Sequence, residues 1–80
     1  MAKDRRLEEE ILSVIREMLG RKVSLEDKIE DIPEWDSLKY LQIVLEIEDR
    51  FKINVPMDVV MSIDNVKELV EFVVNSCNVK

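Results

Sequence analysis

Asp36 and Ser37 stand together at the head of a run, Leu38–Phe51, whose apolar residues recur at helical spacing. A carboxylate and a hydroxyl so placed admit two kinds of chemistry. Either oxygen can accept a hydrogen bond from a free N–H of the first helical turn, the ordinary role of Asp or Ser as an N-cap. Alternatively the serine oxygen can accept a group transferred to it by another protein. It is poorly suited to be a hydrolase nucleophile, because such a serine needs an adjacent base and the chain contains no histidine. The single cysteine, Cys77, has no partner for an internal disulfide. Without histidine it also cannot complete a His/Cys metal cage, so no metal site is expected. The lone glycine rules out a Gly-rich phosphate loop, and no enzymatic activity is expected of the chain itself.

The elements that position this pair can be read on either side of it. Leu7, Ile11, Val14, Ile15 and Met18 recur at helical spacing among charged residues, which predicts an amphipathic helix over Leu7–Leu19. Gly20 stands where a helix ends in a left-handed residue, followed by Arg21 and Lys22 near the negative end of the helix dipole. Between Arg21 and Trp35 the periodicity fails and Pro33 forbids a continuing helix, so a long ordered loop is expected. Val23, Leu25, Ile29 and Ile32 would pin it, with one short turn within it. A second helix follows over Leu38–Phe51, capped by Asp36 or Ser37. Ile53, Val55 and Pro56 read as an extended connector into a short helical turn at Met57–Met61. The last helix begins at Asn65 and Glu68, which have capping-box spacing, and Val66, Leu69, Val70, Val73 and Cys77 mark its apolar face.

The second helix carries more apolar surface than a small bundle needs. At about 100° per residue, Tyr40, Ile43, Val44, Ile47 and Phe51 form the stripe expected to face the core. Leu38, Leu41 and Leu45 lie on a neighbouring strip that runs back to Ser37. They are either a widened core face closed over by the long loop or an exposed ridge for a partner, and Leu41 and Leu45 are candidate partner contacts. Glu46, Glu48 and Asp49 border the helix end.

Eighty residues form one small domain, taken here as 1–80, with a modest core. The formal charge of −6 works against nucleic-acid binding, which needs a basic face. No apolar run approaches the roughly 20 residues that span a bilayer, and Met1–Arg6 leads into acids rather than a signal-type stretch. A cytoplasmic monomer, not a membrane protein, is expected.

Asp36-Ser37-Leu38 at a helix start, an aliphatic and acidic helix ending in Phe51, and the exit Lys52-Ile53-Asn54-Val55-Pro56 together resemble the acyl carrier protein family. The likeness runs from the first amphipathic helix through the last. It implies an all-α fold, a small four-helix bundle of acyl-carrier-protein type with three main helices, one short helix and a long first loop. It implies that Ser37 carries 4′-phosphopantetheine, with Asp36 and Leu38 beside the attachment point, and that Mg²⁺ and coenzyme A arrive with a phosphopantetheinyl transferase. Implied partners are that transferase, an acyl-activating ligase and acyl-transferring or condensing enzymes of fatty-acid, polyketide or lipid biosynthesis. Acids on the second helix meet basic patches on such partners, which makes Glu48 the first candidate.

The pattern departs from housekeeping fatty-acid carriers in three places. Lys39 directly after Asp-Ser-Leu and Gln42 three positions later stand where acids are usual, so both are candidate contacts for a dedicated partner set. Trp35 stands where a small residue is common; an exposed aromatic there would pack on the loop or join an interface, and the sequence leaves open which. A D-alanyl or aminoacyl/peptidyl carrier is the alternative within the family. From another class, an unmodified helical adaptor could use Leu38, Leu41 and Leu45 in a helix-to-groove contact.

Overall fold

The computed structural model describes the backbone of residues 2–78 and the side chains of residues 5–77. Among the described residues four α-helices follow in order: α1 over Ala2–Leu19, α2 over Ser37–Phe51, α3 over Met57–Ser62 and α4 over Val66–Asn78. A 3-10 turn, Ile29–Asp31, interrupts the loop between α1 and α2. This is the all-α, four-helix arrangement expected from the sequence, with three main helices and one short one. The first helix starts five residues earlier than its apolar stripe does, because periodicity marks the buried face and not the extent of the helix.

Apolar stripes of α1, α2 and α4 meet in one core, where Ile11, Ile15, Ile43, Ile47, Val66, Leu69, Val70 and Val73 are fully buried. Helix α1 packs against both α2 and α4. A smaller cluster of Val44, Val55 and Val60, with Tyr40 and Phe72 against it, attaches α3 to the back of α2. Completely burying an aliphatic side chain contributes about 1.5–3 kcal/mol relative to leaving it in water. The core set therefore holds the three long helices together, while α3, with only Val60 buried, is held more lightly.

The long loop is ordered by bonds at its start and at its middle. Gly20 adopts φ +70°, the left-handed turn that stops α1, and its N–H donates to the Arg16 carbonyl at 2.7 Å. Arg16 Nε in turn donates to the Val23 carbonyl at 3.0 Å, folding the chain back along α1. Val23 and Ile32 are buried as anchors, with Leu25 and Ile29 partly so. Midway along, the loop pairs with the start of α4: Ile29 N–H donates to Asp64 O and Val66 N–H to Asp27 O, at 3.0 and 3.1 Å. These two bonds satisfy backbone that would otherwise need water. Asn65 caps α4, accepting from Glu68 N–H at 2.9 Å, while the Glu68 carboxylate accepts from Asp64 N–H at 3.0 Å. The expected capping box is thus present with its return bond shifted by one residue.

Trp35 corrects an expectation. It is not an exposed aromatic but 5% exposed, part of the main core. Its backbone N–H donates to Ile32 O at 3.0 Å, and its indole stands edge-on to the Tyr40 ring, with centroids 5.5 Å apart at 75°. Edge-to-face geometry of this kind is favourable for aromatic pairs. The turn that brings Asp36 and Ser37 to the head of α2 is therefore anchored from beneath by the indole.

Candidate functional site

Asp36 and Ser37 share the helix start unequally. Asp36 is the N-cap: its backbone is extended, its Oδ1 accepts from Lys39 N–H at 2.8 Å, and its carbonyl accepts from Tyr40 N–H at 2.9 Å. Ser37 is the first helical residue, exposed. Capping has already been supplied by its neighbour, so the Ser37 hydroxyl stands in solvent at the positive end of the α2 dipole, where a negatively charged group is stabilised. The first turn contains no acid.

Beside Ser37 opens a cleft of about 360 Å³ between α2 and α3, lined by Ser37, Tyr40, Leu41, Met57, Val60, Met61 and Ile63. Apart from the two hydroxyls its walls are apolar. One bond spans it: Tyr40 OH donates to the Val60 carbonyl at 2.9 Å, tying the start of α2 to a carbonyl near the end of α3. Burial pushes the Tyr40 pKa up to about 12, with the Glu68 and Asp64 carboxylates adding to the rise. The phenol remains neutral and able to donate across the whole physiological range.

The second apolar strip of α2 is not closed over by the long loop. Leu38, Leu41 and Leu45 are 67%, 41% and 64% exposed. Two residues not singled out in the sequence join them from α3, Met57 at 57% and Met61 at 78% exposed. A signal for these two was present: methionines spaced i, i+4 on a six-residue helix that has one apolar stripe already committed to Val60.

The acids of α2 are less available than their sequence positions imply. Glu48 Oε2 accepts from the Val55 N–H at 2.8 Å, securing the connector to α3, so the acid expected first at a partner surface has an internal task. Glu46 Oε2 receives Arg50 Nε at 2.7 Å, and Arg50 also reaches Glu17 of α1 at 3.8 Å. Asp49 and Gln42 remain exposed, and Lys39 is partly so. Lys39 occupies the third position of the helix, where a glutamate would complete a capping box and suit the dipole.

Residues 9–73 match the family model described as the phosphopantetheine attachment site. The chain belongs to this family. It is a phosphopantetheine-bearing carrier and not a catalyst, its prosthetic group is 4′-phosphopantetheine, and a phosphopantetheinyl transferase is the enzyme that installs it.

Solved structures give this carrier the acyl-carrier fold. The holo acyl carrier protein of Geobacter metallireducens superposes with a TM-score of 0.77 at 21% identity, over 86% of this chain and 83% of that one. An acyl carrier protein of Thermotoga maritima gives 0.74 at 21%, over 91% and 88%. A mitochondrial acyl carrier protein of Toxoplasma gives 0.80 at 24%, over 96% and 93%. No curated protein sequence matches the carrier. Among the described residues no helix is long and apolar enough to cross a membrane.

The residues present fit the prosthetic group. An accessible hydroxyl, a helix start with no acid beyond the capping Asp36 and an apolar cleft starting at the same residue suit, in turn, attachment, a phosphodiester and the chain it leads to. None of these groups can serve as a general base, which agrees with attachment being the work of the transferase.

Proposed function

We propose that Ser37 bears the 4′-phosphopantetheine and that the carrier presents acyl groups to partner enzymes of fatty-acid-, polyketide- or lipid-related biosynthesis, as a cytoplasmic monomer with one carrier domain over 1–80. The observation that carries this reading is the free Ser37 hydroxyl at the first residue of α2, released from capping by Asp36 and set at the mouth of the apolar cleft.

During attachment the Ser37 oxygen gives up its proton, forms the new bond to phosphorus, and displaces the nucleotide portion of coenzyme A. The base and the Mg²⁺ that offset developing charge come from the transferase. When bound, the arm supplies a terminal thiol that holds the acyl group as a thioester. The chain's own residues orient and separate: Asp36 fixes the helix start, the Tyr40–Val60 bond spans the cleft, and Leu38, Leu41 and Leu45 flank the attachment point as the face partners meet. Lys39 and Gln42 direct it to a dedicated partner set rather than to housekeeping enzymes, since rim charges govern encounter and discrimination.

The test is the intact mass of the protein after incubation with coenzyme A, Mg²⁺ and a broad-specificity phosphopantetheinyl transferase. A gain of one phosphopantetheine group, absent in Ser37→Ala, is the expected result. A folded protein that gains nothing with several transferases would refute it. The D-alanyl alternative separates at the next step, because the arm is the same and the ligase that loads it differs.

A further inference from the structure

We infer that Tyr40 and Trp35 bar the acyl chain from the helical core, so that cargo stays in the cleft beside Ser37 and the carrier is matched to short acyl groups rather than to long ones stored inside the bundle. The inference deepens the proposed function and rests on Ser37 being the attachment residue.

A chain carried on Ser37 meets the cleft between α2 and α3 first. Of the residues that line it, Tyr40 and Ile63 also pack against the main core, so the way inward passes them. Ile63 is an aliphatic side chain on the extended residue that ends α3, whereas Tyr40 is held from several sides. It packs against both the main core and the smaller cluster of Val44, Val55 and Val60, and so stands between the two. Its hydroxyl donates to the Val60 carbonyl at 2.9 Å. Against its ring lies the Trp35 indole, edge-on with centroids 5.5 Å apart and only 5% exposed. An alkyl chain moving inward must break the bond, turn the phenol and displace the indole together, in an interior whose close-packed side chains have little free volume to yield.

Trp35 carries a second mark of this role. Its indole N–H is buried and finds no acceptor among the described residues, and a buried donor without a partner lowers stability. A purely hydrocarbon side chain would fill a core position without that cost, so the site uses the indole for its size. Trp35 immediately precedes the capping Asp36, which ties this plug to the start of the helix that carries Ser37. The cleft outside it, about 360 Å³ with Leu41, Met57 and Met61 on its walls, has to take the end of the arm as well as the cargo, and this leaves room for a short group.

The experiment compares the melting temperatures of the acetyl and octanoyl forms, each made by the transferase from the matching coenzyme A thioester and checked by intact mass. A chain buried in the core removes apolar surface from water with every methylene, and octanoyl would then raise the melting temperature over acetyl by about 10 °C or more. The expected rise is less than about 3 °C. Trp35 is the single tryptophan, so its fluorescence reads the same event, and its emission maximum should be the same in both forms. Tyr40→Val removes the bond and the ring, and octanoyl should raise the melting temperature of that variant over its own acetyl form by about 5 °C or more. Trp35→Leu takes its place should Tyr40→Val not fold, as judged by helical circular dichroism. A larger rise in the wild-type octanoyl form, a shift of Trp35 emission on octanoylation, or a folded variant that rises by less would each overturn the inference. Failure of the underlying reading looks different: no acyl arm is gained at all, or Ser37→Ala gains one as well, and this inference then falls with it.

Discussion

Replacing Tyr40 with Phe removes one atom from the bond that ties α3 to α2, and its consequences can be worked from the geometry. The hydroxyl donates to the Val60 carbonyl at 2.9 Å in a half-buried setting. A neutral hydrogen bond of this kind contributes about 0.5–1.5 kcal/mol net, and the ring remains to fill its space. For a chain of this size about 1 kcal/mol lowers the melting temperature by roughly 4–8 °C. The loss has a pH signature. Burial raises the folded-state pKa of Tyr40 to about 12, above the value of about 10 for an exposed phenol. The folded protein therefore holds a proton that the unfolded chain releases between pH 10 and 12. The stability this confers is fully present below pH 10 and lost as the pH rises through 12. Chemical denaturation of both proteins across pH 7 to 12 is the assay. The advantage of the wild type over Tyr40→Phe should be constant to about pH 10 and then shrink. Cys77, whose thiol pKa is also raised by burial, is common to both proteins and cancels in the difference. Equal melting temperatures at neutral pH, or a difference that stays level to pH 12, would refute the assigned bond.

Three further outcomes follow from other contacts. Asp36→Ala removes the oxygen that accepts from Lys39 N–H and should lower unfolding free energy by about 1 kcal/mol, with Asp36→Asn nearer the wild type, both read from denaturant midpoints. Glu48→Gln weakens the acceptor of the Val55 N–H and should reduce stability by about 1 kcal/mol while leaving the transferase KM within about twofold; a large KM effect without a stability change would return Glu48 to the partner surface. Lys52 ends α2 at φ 58°, a conformation costly for a residue with a Cβ. Lys52→Gly should therefore raise the melting temperature by a few degrees, corresponding to about 0.5–1 kcal/mol, and a lowered melting temperature would contradict that strain.

Much of this architecture was legible because its signals are local. Gly20 at φ +70°, the Asn65–Glu68 cap and the stripe of Ile43, Val44 and Ile47 follow from rules about single turns of helix. Asp36 and Ser37 were interchangeable as caps in the sequence, since either side chain can reach a first-turn N–H. Only the backbone, with Asp36 extended and Ser37 already helical, separates their roles. What escaped the sequence depends on contacts between distant segments. Leu12 and Val74 are buried beyond their expected stripes because α1 touches two helices at once. Trp35 turns inward because Tyr40 offers it an edge-on partner and Ile32 holds its backbone. Glu48 looked like a free acid on a helix face, and its bond to Val55 exists only once the connector to α3 has turned back. The exposed leucines were ambiguous for the same reason: whether the long loop covers them depends on its long-range pairing, and with the loop bonded to the start of α4 they stay exposed.

The most direct test of the central claim is the position of the arm. The chain has five serines, at 13, 24, 37, 62 and 76, and peptide mass mapping of the transferase-treated protein locates the added group among them. The account predicts one phosphopantetheine on the peptide containing Ser37 and none on the others. An arm found on a different serine, or an unmodified Ser37 peptide from fully folded protein, would contradict it.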